Sequence, residues 1–167
     1  MKHKRKKTMP VEYIFVWVGA SESVVDSICP RLGMALGKQF RLRNLFCNGS
    51  NIEVVNQQIK EFKRDKEHNY KIIAFDVGLC NQNTLMLRTK GIKPASAIKK
   101  QDIKIGDISY IINIDKCFSH IKDKKPIDLI LNNYSDKRVI KQRNKILSRM
   151  YKKLYDLITA LNEPNIY

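Results

Sequence analysis

Tyr13-Ile14-Phe15-Val16-Trp17-Val18 runs apolar, β-branched and aromatic without a polar break, and it stops at Gly19. A half-buried strand alternates; a run with no polar position reads as a strand covered on both faces, hence a central strand of a largely parallel sheet. Lys71-Ile72-Ile73-Ala74-Phe75-Asp76 repeats the pattern and ends in a carboxylate. Between them, Ser23-Val24-Val25-Asp26 has the form of a capping box and predicts a helix to about Lys38. Arg41 to Cys47 predicts a second strand, and Ser50-Asn51-Ile52-Glu53 caps a helix with Ile52, Val55, Ile59 and Phe62 on one stripe.

Further along, Leu85–Leu87 predicts a short strand before the Gly-Pro-containing stretch 91–100, and Ile105 to Ile114 contains another strand. Residues 115–134 read as an irregular charged connection. Ser135 then caps a long helix over about 136–161, with Val139, Ile146, Leu147, Met150, Leu154, Leu157 and Leu161 on its buried face. The order β-α-β-α-β-β-β predicts a three-layer α/β/α sandwich with a mostly parallel, mixed sheet. Residues 11–167 form one domain in this reading, behind a basic tail at 1–10.

Composition narrows the function. No apolar run approaches the roughly 18 residues of a spanning helix. No stretch has the form of a signal peptide, so the expected location is cytoplasmic. Cys29, Cys47, Cys80 and Cys117 lie 18 to 37 positions apart, which suits reduced thiols rather than a disulfide framework or zinc knuckle. No cofactor is expected, since neither a G-x-G-x-x-G fingerprint nor a P-loop is present. The 32 Lys and Arg against 16 Asp and Glu leave +16, of which residues 1–10 carry +5 and residues 116–153 carry +9. Arg138, Lys141, Lys145, Arg149 and Lys152 share one face of the last helix, flanked by Tyr134 and Tyr151. That face is either a solvated lysine-rich surface or a non-specific, salt-dependent site for nucleic acid.

Two aspartates stand out by topology. If the sheet order begins 2-1-3, Asp26 opens the first helix and Asp76 ends the third strand on either side of the switch point, over a floor of Gly19 and Gly78. Two carboxyl groups sharing a site can hold one proton and act as an acid/base pair, or they can bind a divalent metal, with His120 as a third ligand. Each also has a structural reading, Asp26 as a helix cap and Asp76 as a loop brace. Cys29 has the place of an activated thiol, but His3, His68 and His120 fall in the tail or predicted loops and none pairs with it in pattern. Asp107, in a Gly-Asp turn before a strand, reads as structural.

Val16-Trp17-Val18-Gly19, Asp26-Ser27-Ile28-Cys29-Pro30 and Ile72-Ile73-Ala74-Phe75-Asp76 together resemble the germination protease of spore-forming bacteria, and more closely the short sporulation proteins related to it. Gly91-Ile92-Lys93-Pro94-Ala95-Ser96-Ala97, then Ile105-Gly106-Asp107-Ile108 and Ile112-Asn113-Ile114, resemble a third segment of that family. The resemblance spans about residues 13–115. It implies that Asp26 and Asp76 match the acidic pair on which the protease depends, and that the substrates are small acid-soluble spore proteins. The implied architecture is similar to that of hydrogenase-maturation proteases, in which the equivalent acidic positions hold a metal. Ser21, Val25 and Cys29 depart from the family pattern. Those departures fit a narrowed cleft, and the alternative reading is an inactive relative that binds nucleic acid or a partner through its basic ends.

Overall fold

The computed structural model describes residues 9–79, 84–94, 102–131 and 136–162. The tail Met1–Lys7, His3, Cys80, Ala95-Ser96-Ala97, Tyr134 and Ser135 lie outside them. The elements are β1 (Val11–Val18), α1 (Ile28–Phe40), β2 (Arg43–Cys47), α2 (Ile52–Arg64), β3 (Asn69–Gly78), β4 (Leu85–Arg88), β5 (Ile108–Asn113), α3 (Ile114–Phe118), α4 (Pro126–Leu131) and α5 (Lys137–Asn162). The five strands form one sheet in the order β2-β1-β3-β5-β4. All neighbours are parallel except β4, which closes the edge antiparallel to β5.

The unbroken apolar run of β1 is explained by two cores, one on each face. Phe15 and Trp17 point into a core under α1 and α5, while Ile14, Val16 and Val18 point into a second core under α2. The first is built on an aromatic row. Trp17 stacks on Phe75 with ring centres 4.3 Å apart and planes 13° from parallel, and Phe75 stacks in turn on Tyr110. The indole Nε1 donates to Asn44 Oδ1 at 2.9 Å, and Asn44 Nδ2 donates to the Gly33 carbonyl at 3.0 Å. One amide therefore ties β1, β2 and α1 together. Gly33 lets the helix sit directly on the indole, since a Cβ there would lie 2.4 Å from Trp17 Cγ.

The other core is capped by α2 and by a bridge between Ile92 and Ile105, each donating to the other's carbonyl. Asp107 accepts from the Ile72 amide at 2.9 Å and pairs with Lys63 of α2. Burial opposes its ionisation, but those two donors outweigh it and hold its pKa below the ordinary value. It braces the start of β3 against α2, as a structural residue.

Several boundaries differ from the sequence reading. Helix α1 starts at Ile28, not at Ser23, because Ser23 to Ser27 fold as turns. Only half the capping box forms. Ser23 Oγ accepts from the Asp26 amide, while the Asp26 carboxylate turns back to Ala20. At α2 the cap position is Asn51, whose side chain bonds to Asn48 and Phe46. The segment 115–134, expected to be irregular, contains α3 and α4. Asn113 caps α3 by accepting from the Asp115 amide. Both helices are shorter than two turns, too brief for a 3.6-residue periodicity to register. Along α5 the buried positions are Val139, Ile146, Met150, Leu154 and Ile158, while Leu147, Leu157 and Leu161 pack at the margin.

Candidate active site

The sheet order places β1 and β3 side by side, with Trp17 opposite Phe75. The chain turns outward to β2 after β1 and crosses back to β3, so the switch point lies between these two strands. Asp76 comes one residue after Phe75, at the carboxyl edge of β3. Asp26 is drawn to the same edge by the loop after β1. Its Oδ2 accepts from the Ala20 amide at 2.6 Å, and the Ser23 amide donates to the Ala20 carbonyl at 3.1 Å. Gly19 makes this loop possible with φ +139°, a conformation L side chains rarely adopt. A Cβ there would lie 1.9 Å from the Asp26 carbonyl oxygen and 3.3 Å from its Cγ. Gly19→Ala is therefore expected to cost roughly 1–3 kcal/mol from backbone strain alone. The clash is with Asp26 itself, so the substitution should lower the unfolding midpoint; a variant as stable as the parent would contradict this geometry.

Both carboxyl groups are half-buried and both are shifted upward. For Asp26 the chief cause is loss of hydration. The Ala20 amide opposes it and the Glu22 charge adds to it. Asp76 is pushed well above the ordinary value, first by burial and then by the charge of Asp26, against a hydrogen bond from the Val77 amide at 2.8 Å. The pair therefore disfavours double ionisation and favours retention of a proton.

Two thiols share the neighbourhood. Cys29 is fully buried, and its pKa is driven well up by burial and by the charges of Asp76 and Asp26. An activated nucleophile needs the opposite shift, which agrees with setting this thiol aside for want of a histidine partner. Cys47, at the carboxyl end of β2, is pushed up to about 12 by burial and then by Asp76. Its place at this edge follows from the 2-1-3 order, so the topology could have signalled it.

His120 lies exposed in the turn after α3, and no three His, Cys, Asp or Glu side chains among the described residues are grouped to hold a metal. His68 is engaged by Asp65, with Nδ1 2.8 Å from Oδ2. The two aspartates by themselves supply oxygen donors of the kind a divalent cation takes.

The basic face of α5 divides. Arg138 is spoken for, because its guanidinium pairs with Asp123 at 2.9 Å and with Asp136 at 2.7 Å. The pairing holds Asp136 down to about 2 and raises Arg138 further. Arg138 is thus engaged at the helix start by two carboxylates, unlike the other cations of this face. Lys141, Lys145, Arg149 and Lys152 remain exposed and line an open trough of about 1140 Å³ along α5.

A family model described as "Protein of unknown function (DUF1256)" matches residues 1–141. The chain belongs to the DUF1256 family. The DUF1256 match takes in both aspartates, and it ends at Lys141, before Lys145, Arg149 and Lys152. No curated protein and no solved structure matches the chain. No helix among the described residues is long and apolar enough to cross a membrane.

Proposed function

We propose that this DUF1256 protein is a peptidase whose acid/base centre is the Asp26–Asp76 pair. The observation that supports the reading is a pair of electrostatically coupled carboxyl groups, both with raised pKa, at the switch point of a parallel sheet, where such folds bind their ligands. The ionised member takes a proton from water, whose oxygen attacks the peptide carbonyl carbon. The protonated member gives its proton to the departing nitrogen as the C–N bond breaks. The resemblance to germination protease supplies the substrate class, a small acid-soluble spore protein, and a cytoplasmic setting in a sporulating cell. The test is cleavage of such a protein, or of a basic peptide, by the parent chain and by Asp26→Asn and Asp76→Asn. Unchanged cleavage by either variant would remove that residue from the mechanism.

The trough on α5 favours a second reading, in which the chain binds nucleic acid without sequence preference. Affinity for a DNA duplex should then fall steeply with salt, and charge reversal at Lys141, Lys145 and Arg149 should flatten that slope. A slope near zero in the parent chain would refute it.

A further inference from the structure

The geometry points to a binding site for a small phosphate-bearing anion between α3, α5 and the start of β4, separate from the aspartate pair. A cavity of about 440 Å³ lies there, within the range of ligand sites. Lys116 from α3 and Lys145 and Arg149 from α5 line it, and no acidic residue does so among the described residues. None of the three is in an ion pair among the described residues. Arg138 on the same helix makes the contrast, since two carboxylates neutralise it.

The walls are held in place. Gln142 of α5 donates to the Cys117 carbonyl and sets the spacing of α5 from α3. The Asn113 amide donates to the Thr84 carbonyl at 3.0 Å and fixes the start of β4 against the end of β5. Lys145 and Arg149 stand one helical turn apart, where like charges repel, and Lys116 faces them from another element. A ligand of charge near −2 relieves that repulsion. A phosphate presents oxygens in several directions to cations on two different elements, whereas a planar carboxylate is satisfied by one guanidinium fork.

The test is calorimetric titration of the full chain with pyrophosphate, beside citrate and a short DNA duplex as separate arms. Pyrophosphate should bind one per chain, and Lys116→Gln, Lys145→Gln and Arg149→Gln should each weaken it about tenfold. All three side chains are exposed, so the variants should fold; far-ultraviolet circular dichroism checks this. Lys60→Gln, on α2 and outside the cavity, should bind as the parent does. The proposal is overturned by no saturable binding at millimolar pyrophosphate, by tighter binding of citrate, by binding of the duplex alone, or by an equal loss in Lys60→Gln.

Discussion

On the proposed peptidase reading, Asp76→Asn should sharply slow peptide cleavage, and it should at the same time make the protein more stable at neutral pH. Loss of a positioned acid or base costs roughly 10²–10⁴ in rate. The stability gain follows from the direction of the shift. Asp76 has its pKa raised in the folded state, by burial and then by the Asp26 charge, so the native protein holds this proton more tightly than the unfolded chain does. Its favourable contribution is complete below the unfolded value of 3.8 and is lost as pH rises through the folded value. At neutral pH the parent therefore carries the cost either of ionising Asp76 in place or of holding a proton that the unfolded chain has released, and the neutral amide carries neither. Each kcal/mol relieved raises the unfolding midpoint by roughly 2–4 °C in a chain of this size. Thermal unfolding of parent and variant across pH checks the sign. The gap should be widest at neutral pH and should close toward pH 3.8 and below. A variant that is less stable at neutral pH would mean that the carboxylate is a needed brace for the β3 edge, and the catalytic reading of Asp76 would lose its basis.

The largest stability loss is expected from Trp17→Ala. The indole is fully buried, stacks on Phe75 at 4.3 Å, faces the α1 backbone at Gly33 and donates to Asn44. Truncation leaves a cavity between α1 and the sheet and strips the Asn44 carbonyl of its donor. Substitutions of this kind cost about 3–5 kcal/mol, and the orphaned acceptor adds to that. Denaturant unfolding of Trp17→Ala beside Trp17→Phe separates the two contributions. Phe restores much of the volume but not the hydrogen bond, so it should recover most of the loss. A Phe variant no more stable than the Ala variant would place the importance of Trp17 in its N–H and not in packing.

Much of the site was legible because its position depends on topology. Two unbroken apolar strands, one ending at Gly19 and one in Asp76, sufficed to place a central parallel pair and a switch point. The capping-box reading of Ser23 to Asp26 gave Asp26 a cap's role, and the structure gives its carboxylate another partner. Asp26 does not cap α1 with its carboxylate; it folds back onto Ala20, because the loop after Gly19 offers an amide at 2.6 Å. Cys29 was placed correctly at the start of α1, and complete burial with two negative charges raises its pKa, the opposite of what a nucleophile at a helix start needs. The α5 face was visible as a row of cations, yet nothing in its spacing could reveal that Asp123, fifteen positions earlier, closes on Arg138.

By itself, then, the amino-acid order determined the layers, the sheet order around β1 and β3, and which two carboxylates belong to its carboxyl edge. Those features rest on periodicity and chain connectivity, which are local or follow from steric rules general to parallel sheets. Only the tertiary structure decided which charges are neutralised, which thiols are suppressed and where three cations gather around one cavity. Such outcomes depend on side chains from distant segments meeting within a few ångströms, with water excluded from between them, and proximity of that kind leaves no periodic trace in a single chain.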